Sequence, residues 1–537
     1  MILRSPLPDV DLPDVTVYEL LFGALDDGDR ERVALVDGIT GRTLTYGELA
    51  ESVDRFAGAL AARGLRPGDV VALNAPNSPE FVVAFHGILR AGGTVTTVNV
   101  LYTPDEIATQ LRDAGAVRYV TVGPLLPTGL AATAEAGLPA AHVYLLDGAD
   151  NGAAKKETYE TLPAMLAEGL PAPAVAIDPA THLAALPYSS GTTGRAKGVM
   201  LTHANLIANI CQNEKVLPQT TAETVPAVLP FFHIYGMNVI LNGTLKARGT
   251  LITLPRFDLA DFLRVIQDRR CTFLYVAPPM AVALTKHPLA REHDLSSVRM
   301  VVSGAAPLDE ALGEALADRL GCRLLQGFGM TELSPVSHLT PLDGSVSVGS
   351  IGFAVPNVEY RLVDPETGRE VAPAADGLSA TGELQVRGPN VMAGYLADPE
   401  ATAATLLPDG FLRTGDLARL GPRGEVYVVD RLKELIKYKG YQVPPAELEA
   451  LLLTHPEIVD AVVVGYPDEA AGELPRAFVV RRPGAALTAD EVKTFVAGRV
   501  APHKKVRIVE FTDAVPKSAS GKILRKELRS LPLGDGS

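Results

Sequence analysis

The chain has 537 residues, too many for one ordinary hydrophobic core, so at least two domains are expected. Hydrophobic residues make up 47% and charged residues 21%, the balance of a soluble globular protein. The net charge of −14 repels phosphate backbones and argues against a nucleic-acid partner. Cys211, Cys271 and Cys322 form no CxxC pair, which excludes a disulfide scaffold and fits a reducing, cytoplasmic setting. The first residues, MILRSPLPDVDLPD, place acids and prolines where a secretory signal needs an apolar run. No stretch approaches the ~20 uninterrupted apolar residues of a membrane span.

Taken in order, the chain alternates strands and helices for its first 430 residues. Tyr46 to Arg63 puts Leu49, Val53, Phe56, Leu60 and Ala61 at helical spacing. Asp69 to Asn74 and Gly93 to Val100 are β-branched runs, and RYVTVG, VYLLDG, FLYVAP and RMVVSG repeat the pattern. Apolar strands between helices predict parallel sheet covered on both faces. Asp147 to Thr161 has the composition of a surface loop, and Ala227 to Leu241 that of buried core. From Gly349 to Val428 glycine and proline become dense and the strands VEYRLVD, GELQVRG and EVYVVD lie close together, predicting a β-rich, more antiparallel subdomain. After Asp430 a helix from Pro445, strands DAVVVGY and RAFVVRR, a helix ADEVKTFVAGRV and a strand VRIVEF describe a compact α+β module. The expected class is therefore α/β. A large N-terminal domain over 1–430 holds parallel α/β sheets and the β-rich subdomain. A small mobile α+β domain covers 431–537.

The most informative segment is Tyr188-Ser-Ser-Gly-Thr-Thr-Gly-Arg-Ala-Lys-Gly198. Seven of its eleven residues are Ser, Thr or Gly, so backbone N–H groups and hydroxyls can converge on an anion, with Lys197 as a point charge. It does not fit GxxxxGK[ST], so it is not a Walker A loop. Composition by itself fits a plain surface loop equally well.

YSSGTTGRAKGVMLTH resembles the phosphate loop of the adenylate-forming superfamily: acyl-CoA ligases, adenylation domains and luciferases. Within it the chain looks most like the 4-coumarate–CoA ligase group, and the motifs occur in that order along nearly the whole chain. The resemblance implies that Ser189, Ser190, Gly191, Thr192, Thr193 and Lys197 bind ATP. PFFHIYG then places His233 beside the acyl carboxylate and Tyr235 in the acyl pocket. An imidazole can donate to a carboxylate and reorient between steps. QGFGMTE supplies Gln326, Gly327 and Thr331 to the nucleotide and Glu332 to Mg²⁺, a cation that prefers hard oxygen ligands. RTGD and VVDRLKELIKYKG assign Asp416 to the ribose diol, Arg431 to ribose or phosphate, and Lys433 to a hinge. The same segment puts Lys437 near the adenylate, Lys439-Gly440 near coenzyme A, and Gln442 beside them. PKSASGK resembles a C-terminal catalytic loop ending in Lys522.

The implied chemistry is an acid–thiol ligation. A carboxylate attacks the α-phosphorus of ATP, and coenzyme A then takes the acyl group while the C-terminal domain rotates about Lys433. The acyl pocket by resemblance comprises Tyr235, Val239, Gly304, Gly329, Pro335, Val336 and Leu339. Pro335-Val336 matches the coumarate-ligase pattern. Val239 departs from it, removing a polar contact to a ring hydroxyl. Weak discrimination against that hydroxyl, and so breadth, is expected. Medium- or long-chain fatty acids, a carrier-protein thiol acceptor, luciferase-like oxidation and a non-catalytic sensor are the alternatives. No obligate protein partner is evident.

Overall fold

The computed structural model describes residues 1–148, 159–189, 196–439, 441–468, 471–518 and 523–533, with the backbone alone of residue 442. Most of the segment read as a surface loop between Asp147 and Thr161 lies outside these residues.

The first large sheet runs, in spatial order, Glu160–Thr161, Val143–Leu145, Ala116–Thr121, Val70–Asn74, Thr94–Thr97 and Leu183–Ala185, all parallel. Alternation in Val70–Asn74 sends neighbouring side chains to opposite faces. Val71 and Leu73 join the core with Phe56 and Phe81, from helices Tyr46–Ala62 and Pro79–Arg90. Ala72 packs instead with Ile107, Leu111 and Ala132, from helices Pro104–Ala114 and Leu126–Ala136. Thr45 starts the first of these helices as a capping box with Glu48. The edge beyond Leu183–Ala185 turns antiparallel through Lys197–Thr202 and Tyr188–Ser189.

A second α/β unit has strands Phe273–Val276, Met300–Ser303 and Arg323–Gly329 in parallel, followed by antiparallel Val336–Leu339 and Phe353–Ala354. It continues into a neighbouring sheet of Thr224–Ala227, Thr250–Thr253 and Val33–Asp37, through the Thr272 N–H donating to the Thr224 carbonyl at 3.0 Å. The segment read as buried core is indeed buried. After Ala227 it turns at Pro230 and enters a π-helix over Tyr235–Asn242, which the sequence does not announce.

The β-rich subdomain is an antiparallel sheet of Glu359–Val363, Gly382–Arg387, Leu412–Leu420 and Val426–Arg431. The N-terminal residues Leu3–Arg4 add a strand to its edge. One apolar core extends from Val17 to Val426. A separate core runs from Ile436 to Val509 around strands Ile458–Asp468, Gly472–Arg481 and Ile508–Phe511, with helices Pro445–Leu453 and Ala489–Ala497 on one face. The other face packs against Val515 and Leu528. There Arg476, fully buried, donates to the Leu531 and Pro532 carbonyls at 2.6 and 2.7 Å and ties the last helix to the sheet. Among the described residues no helix is long and apolar enough to cross a membrane.

Candidate active site

A cavity of about 620 Å³ lies where the second α/β unit, the end of the first sheet, the β-rich subdomain and the C-terminal module meet. Its position follows from topology. In α/β sheets ligand crevices form beyond the carboxyl ends of strands, and here Met300–Ser303 and Arg323–Gly329 both end at the wall.

The two ends of the phosphate loop are held together by a short ladder, Tyr188 opposite Gly198 and Ser189 opposite Lys197. Ser189 and Lys197 line the cavity. The strand carrying Lys197 runs straight into the helix His203–Val216, capped by Thr202 with Asn205, so the lysine starts a rigid element. Ser190, Gly191, Thr192, Thr193, Gly440 and Lys522 lie outside the described residues, as does the Gln442 side chain.

Glu332, on the short turn Thr331–Leu333, lines the same cavity. Only 5% of Glu332 is exposed, and its Oε1 accepts from the Tyr395 hydroxyl at 2.9 Å. Among the described residues no group of three or more His, Cys, Asp or Glu could hold a metal ion. One buried carboxylate facing a cavity fits a cation that arrives coordinated by phosphates, as Mg²⁺ does, rather than one caged by protein. Gly327, Phe328, Gly329 and Thr331 continue the wall.

Gln326 does not join them. Its Oε1 accepts from the Leu308 N–H at 2.6 Å, and its Nε2 donates to the Val348 and Ser350 carbonyls at 2.7 and 3.2 Å. The side chain is spent on fastening loops and has no donor left for a nucleotide. Asp416 is likewise behind the wall. Register places it opposite Arg431, whose Nε sits 3.1 Å from its Oδ1. Arg431 and Lys433 themselves line the cavity.

His233 lies at the turn before the π-helix and lines the cavity. The Tyr235 N–H donates to its Nδ1 at 3.3 Å, so a neutral ring carries its proton on Nε2. In a π-helix, with its i→i+5 bonding, residues four apart stack on one face. Tyr235 and Val239 thus both reach the cavity. The Tyr235 hydroxyl donates to the Val302 carbonyl at 3.1 Å, and its ring stands edge-on to Tyr275 at 6.0 Å. Burial pushes its phenol far above the usual range. Gly304, Gly329, Pro335, Val336 and Leu339 complete the apolar wall.

The two glycines serve different ends. A Cβ on Gly304 would lie 3.1 Å from the Tyr235 ring, whereas one on Gly329 would lie 2.4 Å from the Pro335 carbonyl oxygen. Gly304 leaves room beside the ring. Gly329 admits the close backbone of Ser334–Pro335–Val336 rather than the substrate. That turn is clamped by buried amides the sequence did not single out. Asn209 exchanges two hydrogen bonds with the Val336 backbone, Asn238 donates to Ser334, and Asn390 to Leu333 and Val336.

The C-terminal module reaches the cavity through Ser518, at the stem of the PKSASGK loop. Lys437 and Lys439 are exposed on the hairpin Ile436–Tyr438 and Tyr441–Val443, and neither lines the cavity. The structure therefore brings the loop stem to the site and leaves these two lysines out.

Comparison with known proteins agrees with this layout. The AMP-binding enzyme family matches residues 26–396, and the AMP-binding enzyme C-terminal domain matches 447–522. A 4-coumarate–CoA ligase from Oryza sativa subsp. japonica is 42% identical over 540 residues, covering 99% of this chain and 95% of that protein. ATP-bound MatB from Rhodopseudomonas palustris is 33% identical and superposes with a TM-score of 0.87, over 96% of this chain and 98% of that one. The apo form of MatB, at the same identity and coverage, gives 0.76. The chain belongs to the AMP-binding enzyme family, the adenylate-forming superfamily, and stands near its 4-coumarate–CoA ligases.

Proposed function

We propose that this protein is an AMP-forming acid–coenzyme A ligase acting on 4-coumarate and cinnamate-type acids. The observation that carries the reading is one cavity joining three things: the phosphate-loop ends with Lys197, the buried carboxylate of Glu332, and an apolar wall of Tyr235, Val239, Gly304 and Val336. The full-length similarity to proteins named 4-coumarate–CoA ligases supports the acid and the thiol acceptor.

In the first step the acid's carboxylate oxygen attacks the α-phosphorus of ATP and pyrophosphate leaves. Two anions must meet, which costs Coulomb energy. Lys197, and Lys522 on the loop beyond Ser518, offset that cost and stabilise charge developing in the transition state. His233 presents Nε2–H to the carboxylate and orients it. Bound Mg²⁺ would neutralise phosphate charge, with Glu332 as its protein ligand. The nucleophile belongs to the substrate, so no nucleophilic side chain is required.

In the second step the thiol of coenzyme A attacks the mixed anhydride and AMP leaves. We place the moving unit at 431–537, with the hinge at Lys433, because the apolar cores on either side are separate. Rotation withdraws the Lys522 arm and brings the hairpin of Lys437, Lys439, Gly440 and Gln442 to the cavity, a hinge closure with two working states. The better match to ATP-bound than to apo MatB, with Ser518 at the cavity and Lys439 away from it, fits the adenylating arrangement.

An acid panel tests the substrate. Pyrophosphate release is followed for cinnamate, 4-coumarate, caffeate, benzoate and fatty acids of medium and long chain. Release with cinnamate and 4-coumarate at similar kcat/KM is expected, because Val239 offers no polar contact to tell them apart. Release with fatty acids alone would overturn the aromatic assignment.

A further inference from the structure

Tyr395 was not prominent in the sequence, yet it touches two charged residues of the cavity, Glu332 and Lys197. It sits on the short strand Gly394–Tyr395, paired with the strand that carries Lys197, in the register Val199 opposite Tyr395. Its backbone N–H donates to Thr402 Oγ1 at 2.9 Å, and Met392 just before it donates to the Glu332 carbonyl at 2.9 Å. Around it the Ala393 and Leu396 N–H groups donate to the Met200 and Gly198 carbonyls at 2.9 Å each, so the tyrosine's backbone is held against the Lys197 strand. Its hydroxyl donates to Glu332 Oε1 at 2.9 Å. The ammonium of Lys197 lies 5.0 Å from the centre of its ring, and its second neighbour is Asp398 Oδ2 at 3.7 Å. The residue is 9% exposed and lines the cavity.

These contacts have a geometric consequence. A buried carboxylate with one oxygen held by a neutral donor is restricted in orientation, and the Lys197 ammonium, on a side chain 25% exposed, is attracted to the ring face by its quadrupole. A single rigid side chain therefore sets the spacing between the group suited to a cation and the group suited to a phosphate. Burial and the neighbouring carboxylate both raise the phenol's pKa, so the donor keeps its proton across the working pH range.

We propose that Tyr395 is a positioning residue for MgATP, orienting Glu332 through its hydroxyl and Lys197 through its ring. The proposal rests on the adenylating reading of this cavity, but not on which acid is used.

The two contacts can be separated. Tyr395→Phe keeps the ring and loses the hydroxyl; Tyr395→Leu loses both. ATP binding is measured by calorimetry at a series of Mg²⁺ concentrations, with no acid present, beside thioester formation from supplied coumaroyl-adenylate and coenzyme A. For Tyr395→Phe, the Mg²⁺ concentration giving half-maximal ATP binding should rise about tenfold, the worth of a hydrogen bond to a charged group. Its ATP affinity at saturating Mg²⁺ should stay near wild type. Tyr395→Leu should also weaken ATP at saturating Mg²⁺ by about threefold to thirtyfold, the range of a partly desolvated cation–π contact. Both variants should retain the thioester half-reaction, which shows that they fold. An unchanged Mg²⁺ dependence in Tyr395→Phe, or thioester formation falling in step with ATP binding, would overturn the proposal. A wrong acid assignment shows itself separately, since ATP binding is read without any acid.

Discussion

Placing a single methyl group on Gly304 tests where the acyl group sits. The Cβ of Gly304→Ala falls 3.1 Å from two carbons of the Tyr235 ring and 3.3 Å from its oxygen. The ring cannot retreat easily. Its hydroxyl is bonded to the Val302 carbonyl, and Tyr275 stands against it. The methyl must then take its room from the cavity. One methylene too many in an apolar pocket is worth about 1–3 kcal/mol, a loss of about 10–200-fold. The kcat/KM for 4-coumarate, read by pyrophosphate release, should fall by that factor while the KM for ATP stays unchanged. Thermal unfolding separates a folding effect, since overpacking can cost about 1–3 kcal/mol on its own account. The reasoning is refuted if activity is unaffected, or if the KM for ATP worsens as much as that for the acid.

Two more predictions concern the C-terminal module. Lys522→Ala should abolish adenylation and spare thioester formation from supplied acyl-adenylate; equal loss in both half-reactions would contradict the two-state rotation. Glu449 is buried, its Oε1 accepting from the Val463 N–H and its Oε2 from Arg525, and desolvation pushes it up from the usual 4.5 to about 7. A carboxyl raised in the fold adds stability that is complete below about 4.5 and is lost as pH rises through about 7. Glu449→Gln stays neutral throughout. The variant should therefore gain on wild type between pH 5 and pH 8, by up to about 3 kcal/mol, in thermal unfolding. A difference independent of pH would show that burial does not govern this carboxyl.

Much of the architecture was legible because periodicity reports burial. Val70–Asn74 and Met300–Ser303 read as strands from β-branched runs, and Tyr46–Ala62 as a helix from its apolar spacing. The phosphate loop stood out because its hydroxyls and glycines serve no core. What stayed hidden depends on direction. Gln326 shares a strand with cavity residues, yet its amide faces loops behind them. Tyr395 lies on a two-residue strand, too short to carry a pattern, and its partners are 63 and 198 positions away in sequence. Asn209, Asn238 and Asn390 look like ordinary polar residues until the backbone they clamp is in place. The π-helix at Tyr235–Asn242 has no spacing signature distinct from that of any buried apolar run.

The most direct test of the ligase assignment is product stoichiometry. Purified protein with 4-coumarate, ATP, Mg²⁺ and coenzyme A is analysed for AMP, pyrophosphate and coumaroyl-CoA in one reaction. The account predicts equal amounts of all three, with pyrophosphate dependent on the acid. Release of ADP and phosphate would contradict the adenylating chemistry, and pyrophosphate without any acyl-CoA would show that coenzyme A is not the acceptor.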